Sequence, residues 1–273
     1  MTMSKNEDRK TNRYLAIIEQ IFLGRYRKGD TEVPFDRDEI VNVARKLRIT
    51  LPKNLGDLIY TFRYHMALPS SISDKAPAGS SWIIRPAGRS RYVFVATTLT
   101  SIVPNSVMTE TKIPDATPGL IGMYAQSDEQ ALLAKLRYNR LIDIFTGITC
   151  YSLQSHLRTS IPTIGQLETD EIYIGVDRRG AHYVIPVQAK GGRDQLNIVQ
   201  IEQDLAMCHE KFVTLICRPV AAQFIDADLI ALFAFEPGDN GVSISMEKHY
   251  RLVPREQMTP EDIQKYQRRL LDE

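Results

Sequence analysis

Along the first hundred residues the apolar positions keep a helical period and then lose it. In RYLAIIEQIFLGRYRKG, Tyr14, Ile17, Ile18, Ile21 and Phe22 recur every three or four residues, and Gly29 ends the run. FDRDEIVNVARKLRI repeats the pattern with Ile40, Val43, Ala44 and Leu47, led by Asp36 as N-cap and by acids in the first turn. KNLGDLIYTFRYH places Leu55, Leu58, Ile59 and Phe62 on a third helix. From Trp82 the character changes: WIIR and RYVFVA are β-rich and flank the turn PAGRS, which spells a hairpin.

Residues 101–119, interrupted by Pro104, Pro114 and Pro118, show no strong period and read as a linker. A second block follows. SDEQALLAKLRYNRLIDIFTG predicts one amphipathic helix, capped by Ser127 with Gln130 three residues on and ended by Gly147. LETDEIYIGVD and HYVIPVQAK read as strands around the turn RRG. The loop GGRDQL leads to a helix, NIVQIEQDLAMCHEK, and VTLICRPVAAQ and LIALFAFEP supply two more strands. TPEDIQKYQRRLLDE closes the chain as a helix with Thr259 as cap and Pro260 at its first position. The second block is thus an α/β core, and the domains read as residues 1–100, a linker at 101–119, and 120–273.

Composition adds limits. At 273 residues, 43% hydrophobic and 25% charged, the chain is expected to be an ordinary globular protein of about two domains. No run approaches a membrane span and the polar start MTMSKNEDRKTNR is no signal peptide, so no membrane partner is expected. Cys150, Cys208 and Cys217 are odd in number and lack C-x-x-C spacing, which fits buried thiols in a reducing cytoplasm. Neither they nor the five histidines form a zinc pattern; His156, His182 and His209 read as structural. Charge is uneven: residues 1–100 hold 17 Lys+Arg against 10 Asp+Glu, and the remainder 17 against 23. A basic front half points to a polyanion-binding module joined to something different.

Three helices followed by a two-stranded hairpin resemble a winged-helix DNA-binding domain. The resemblance implies a third helix that reads the major groove and a hairpin wing. Lys53 and Arg63 on that helix, and Arg85, Arg89 and Arg91 around the wing turn, are the candidate DNA contacts. Phosphate contacts of this kind give affinity more than sequence preference. The bland alternative is a helical protein-interaction module with a solvated basic surface.

The candidate chemistry lies in YVIPVQAKGGR. Gln188 and Lys190 share one strand face, and a lysine at the end of a mostly buried strand is costly unless it meets negative charge. Glu168 and Asp170, two apart on the preceding strand, offer that charge. With 17 residues between Asp170 and Gln188, the two come level only if the turn or a bulge absorbs the extra residues. E-x-D, a hairpin, and an apolar run ending in Q-x-K resemble the PD-(D/E)XK nuclease superfamily, in the Gln variant of the Mrr-like restriction endonucleases. The implied fold class is α/β, a restriction-endonuclease-like mixed sheet flanked by helices, with an N-terminal winged-helix domain.

The resemblance implies a Mg²⁺-dependent DNA endonuclease, with a role in restriction or defence. Asp170 and Gln188 would hold the metal, joined by Glu168 and by the Ala189 carbonyl. Lys190 would orient or deprotonate the attacking water, and Glu129 is the candidate helix carboxylate. Gly191 and Gly192 would let a phosphate backbone approach. Double-stranded DNA is the expected partner, and cutting two strands implies a homodimer. Gln188 departs from the commonest pattern: a neutral amide carries one charge fewer than Glu, so metal affinity drops unless Glu168 or Glu129 compensates. Three rivals stay open: a winged-helix regulator with an inactive nuclease-like domain, a structure-specific repair nuclease or junction resolvase, and a scaffold that binds no nucleic acid. Gln200 and Gln203 on the following helix either touch the substrate backbone or are solvated polarity; Arg137 either faces phosphate or solvent.

Overall fold

Runs of helices and runs of strands succeed one another in the computed structural model, which describes residues 4–52, 55–64, 66–98, 101–124, 129–162, 164–191, 194, 196–238 and 241–269. In chain order the elements are α1 (Ser4–Arg25), β1 (Glu32–Asp36), α2 (Arg37–Lys46), α3 (Gly56–Tyr64), α4 (Ser70–Ser73), β2 (Ser81–Pro86), β3 (Arg91–Thr97), β4 (Ser101–Ile102) and β5 (Glu110–Pro114). There follow α5 (Gly119–Tyr124), α6 (Glu129–Tyr138), α7 (Leu141–Thr146), β6 (Thr149–Ile161), β7 (Gly165–Val176), β8 (His182–Lys190), β9 (Leu196–Asn197) and α8 (Ile198–Lys211). The last are β10 (Ile216–Cys217), β11 (Val220–Phe224), β12 (Leu229–Gly238), β13 (Gly241–Val253) and α9 (Pro260–Arg269). Two compact units emerge: residues Met1–Ser101, Thr159–Leu167 and Asn197–Val199, and residues Ile102–Arg158, Glu168–Leu196 and Gln200–Glu273.

The first unit is built as its periodicity demands. Tyr14, Ile17, Ile18, Ile21 and Phe22 of α1 are buried with Ile40 and Ala44 of α2 and with Leu58, Ile59 and Phe62 of α3. Asp36 caps α2 in a capping box with Glu39, whose carboxylate accepts from the Asp36 amide at 2.8 Å. Leu47, expected on the buried stripe, instead lies at the C-cap and is exposed. Phe22 stacks on Tyr26 at 5.0 Å and meets Trp82 and Phe94 edge-on at 5.0 and 5.1 Å, an aromatic centre joining α1 to the hairpin. The predicted hairpin is β2–β3. A third strand, β1, pairs with β3 to give the antiparallel order β1-β3-β2. β1 escapes the sequence because it has only five residues and contains Pro34, which an edge strand tolerates.

The second unit is mixed α/β: a large mixed sheet flanked by helices, in the order β5-β13-β12-β11-β8-β7-β6, with β10 also on β8. β8 runs parallel to β10 and β11 and antiparallel to β7. The segment read as a linker contributes β5, parallel to β13, so it belongs to this sheet. The single helix expected over 127–147 is two. Arg140 adopts φ 52°, and the buried Asn139 holds the break in place. Its Oδ1 accepts from Ala116 N at 2.7 Å, and its Nδ2 donates to Thr117 Oγ1 at 2.9 Å and to Lys135 O at 3.0 Å. Gly147 ends α7 at φ 69°, as expected; the Ser127 cap lies outside the described residues. The strand expected over VTLICRPVAAQ is likewise split into β10 and β11 at Arg218–Pro219, where proline has no N–H to donate. Ala131, Leu132, Leu133, Leu136, Leu141, Ile142 and Phe145 pack on the sheet face that carries Tyr173, Ile185, Val187 and Ala189. Gly175 of β7 is required beside the residue that leads into the neighbouring β6: a Cβ there would stand 2.5 Å from Ile148 Cγ2. At the far end, Thr259 caps α9 as expected, receiving Asp262 N at 3.2 Å.

Candidate active site

The hairpin that carries the motif closes without a bulge. A five-residue loop, 177–181, is pinned by Asp177, whose Oδ1 accepts from Arg179 N and Ala181 N at 2.8 and 3.0 Å, and by Gly180 at φ 82°. Regular pairing then runs from Val176 opposite His182 to Glu171 opposite Val187. The turn alone therefore sets the register that the sequence left conditional. Immediately past the last pair, the Asp170 carboxylate replaces the ladder: its Oδ2 accepts from Ala189 N at 2.8 Å, between Gln188 and Lys190. Asp170 is 8% exposed, and burial pushes its pKa up against the pull of the Ala189 amide and of Lys190.

Lys190 meets the charge its position requires. Its ammonium donates to Glu129 Oε1 at the start of α6, which packs against the same sheet. Burial lowers the Lys190 pKa, but the Glu129 hydrogen bond and the Asp170 charge outweigh it, leaving the group above its ordinary value. In this geometry Lys190 is a cation at neutral pH, suited to binding negative charge rather than to taking a proton.

Gln188, 1% exposed, is surrounded by partners that sequence spacing does not disclose. Its Nε2 donates to Asp204 Oδ2 at 2.9 Å and to the Glu168 carbonyl at 3.3 Å, and its Oε1 accepts from Gln200 Nε2 at 3.1 Å. Asp204, on α8, also accepts from Thr169 Oγ1 at 2.5 Å. Burial pushes the Asp204 carboxyl up to about 7, against the lowering effect of the Thr169 and Gln188 hydrogen bonds. Asp204 lies within NIVQIEQDLAMCHEK, and its only sequence signal is an acid at a position whose neighbours Ile201 and Cys208 are core. Gln200, one helical turn before it, faces Gln188 rather than solvent. The Glu168 side chain goes elsewhere: it is 41% exposed and pairs with Arg158 at 3.0 Å and His156 at 3.6 Å on β6.

The structure thus gathers Asp170, Gln188, Lys190 and Glu129 and adds Asp204, Thr169 and Gln200, while Glu168 joins by its backbone carbonyl. Gly191 is buried at the end of β8; Gly192 lies outside the described residues. Among the described residues no three His, Cys, Asp or Glu side chains form a ready metal cage. Mg²⁺, however, takes one or two carboxylates with neutral oxygens and water. Asp170 and Gln188 are hard oxygen donors of that kind, and Gln200 Oε1 is buried with no hydrogen-bond partner among the described residues. The donor chemistry fits a hard divalent ion.

Outside this cluster, Arg137 is 43% exposed and turns its guanidinium to a buried acid. Its guanidinium donates to Glu171 Oε1 at 2.8 and 3.1 Å, and Glu171 is fully buried. In the first unit Arg85 stands on β2, Arg89 in the turn and Arg91 at the start of β3, the last two exposed. Lys53 and the Arg63 side chain lie outside the described residues. No helix is long and apolar enough to cross a membrane. No family model, curated protein or solved structure matches the chain.

Proposed function

We propose that the chain is a Mg²⁺-dependent deoxyribonuclease whose first unit binds double-stranded DNA. The observation that carries the reading is the approach of Asp170 to the Gln188–Ala189–Lys190 strand end, with Glu129 on the lysine. The order α6–α7–β6–β7–β8–α8–β11, with β8 parallel to β11, supports a restriction-endonuclease-like core. The order α1–β1–α2–α3–β2–β3 with an antiparallel β1-β3-β2 sheet supports a winged helix. Asp170 and Gln188 would hold the metal, which when bound polarises the phosphodiester and favours hydroxide at neutral pH. Lys190, cationic and fixed by Glu129, would bind the phosphate and offset charge that builds on it. Arg85, Arg89 and Arg91 would meet the DNA backbone. A restriction or defence role would follow from the family resemblance, a homodimer from the need to cut two strands, and a cytoplasmic setting from the free cysteines.

A second reading, a DNA-binding regulator with a silent nuclease-like unit, is favoured by the absence of a ready acidic cage among the described residues and by Gln188 in place of an acid. Incubating purified protein with methylated and unmethylated plasmid, with Mg²⁺ or a chelator, separates the two. Mg²⁺-dependent nicking or linearisation supports the nuclease. DNA binding with no cleavage and no Mg²⁺ uptake supports the regulator.

A further inference from the structure

The two edges of the large sheet are finished differently. At one end β5 is closed: the Lys112 amide donates to Tyr266 Oη of α9 at 2.8 Å, the Lys112 ammonium pairs with Asp262 at 2.9 Å, and the strand stops at Pro114. At the other end β6 pairs with β7 on one side and, among the described residues, with no strand on the other. An unpaired edge offers a row of backbone donors and acceptors to another strand, and proteins usually blunt it with charge, above all lysine, or with proline. β6 has no such guard over residues 149–155, which read TCYSLQS.

That stretch is bounded at both ends. The Cys150 amide is already taken by the Asp143 carboxylate at 2.8 Å, and His156, at φ 50°, breaks the regular strand. Ser152 donates to the buried Glu171, which fixes the faces: Tyr151 and Leu153 share the opposite one. These two large apolar side chains are 64% and 58% exposed.

We infer that this edge is a self-complementary interface whose occupant is β6 of a second copy of the chain, running antiparallel about Ser152. A two-fold axis there sets Tyr151 against the partner's Leu153 and Leu153 against the partner's Tyr151. Cross-strand pairs of an aromatic with an aliphatic side chain are favourable, and no like charges meet because the stretch carries none. An axis one residue on would set Leu153 against itself and Tyr151 against the partner's Ser155, which leaves the ring without an apolar partner. One strand pair lies at the small end of specific contacts, so the dimer is expected to dissociate on dilution. The inference does not use the nuclease site. It gives the two copies expected of a double-strand cutter a physical contact.

The test is sedimentation velocity of the full chain over a concentration series, without metal or DNA, so that its outcome is separate from that of the nuclease reading. The proteins are wild type, Y151K/L153K, Y151E/L153K and Y151K/L153E, each checked for folding by thermal melting. Wild type is expected to pass from monomer to dimer as concentration rises. Y151K/L153K sets ammonium against ammonium in both pairs and is expected to raise the dimer dissociation constant by about 30-fold or more. The two mixed variants set a carboxylate against an ammonium in both pairs. Each is expected to return to within a few-fold of wild type at low salt and to weaken as salt is added. A wild type that stays monomeric at every concentration overturns the inference, as does a dimer that all three variants leave unchanged or weaken alike. Should a variant not fold, its charge-reversed counterpart decides in its place, Y151E/L153E standing for Y151K/L153K.

Discussion

Asp170 and Ala189 are joined by a 2.8 Å hydrogen bond from the Ala189 amide to the Asp170 carboxylate, at the point where the β7–β8 ladder stops. That bond ties the acid to the strand end between Gln188 and Lys190, and the rest of the candidate site is arranged around it. It also explains why burying Asp170 is tolerable: a charge-assisted bond to a backbone amide is worth about 1.5–3 kcal/mol, against a desolvation cost that raises the carboxyl's pKa.

The Glu129–Lys190 pair holds the lysine in place. Replacing Glu129 with Gln removes the charge but keeps the hydrogen-bonding shape. The expected outcome is a loss of stability of about 1 kcal/mol, near the surface-pair range because Glu129 is about a third exposed. Cleavage is expected to slow by about tenfold as Lys190 loses its fixed position. Urea unfolding and single-turnover cleavage read the two effects separately.

Arg137 and Glu171 predict a larger structural effect. Glu171 is fully buried, and Arg137→Met would leave its carboxylate without a cation. Because Arg137 is itself 43% exposed, stability is expected to fall by about 1–2 kcal/mol, whereas the double change with Glu171→Gln recovers much of the loss. Denaturant midpoints of the two variants check this.

Asp204 predicts a pH dependence. Its folded pKa of about 7 lies above the unfolded value of about 4, so the folded protein binds the proton more tightly. The Asp204 contribution is therefore most favourable below pH 4 and is lost as pH rises from about 4 through about 7. In metal-free buffer D204N is expected to flatten the melting temperature across that window, relative to wild type.

Much of this was legible in the sequence, and the omissions have physical causes. The three N-terminal helices and the β2–β3 hairpin were written in apolar spacing, because each buries one face on a single aromatic core. The pairing of Asp170 with the Q-x-K strand was visible as a motif, although its register depended on a loop geometry set by Asp177 and Gly180. Strand β6 was not legible: it lies at the sheet edge with most of TCYSLQSHLRTSI exposed, so it shows no buried alternation. The helix break at Asn139–Arg140 arises from tertiary bonds to residues 115–117, which local periodicity does not encode. Asp204 was hidden for a related reason. An acid on an amphipathic helix looks solvated until Thr169 of β7 and Gln188 of β8 are brought against it. Glu168 shows the reverse, an acid two residues from Asp170 that turns to β6 instead.

The basic hairpin predicts salt-sensitive DNA binding. Arg89→Ala and Arg91→Ala are each expected to weaken affinity uniformly across sequences and to reduce the slope of log K against log salt by about 1. Fluorescence anisotropy over a salt series measures it; unchanged slopes in both variants would exclude the β2–β3 turn from the interface.

The most direct measurement is plasmid cleavage in Mg²⁺ by wild type, Asp170→Ala and Lys190→Ala, with DNA binding followed on the same preparations. Cleavage by wild type alone, with all three proteins binding DNA comparably, is the predicted result. Undiminished cleavage by both variants, or none by wild type under any divalent ion, would contradict the assignment of the site.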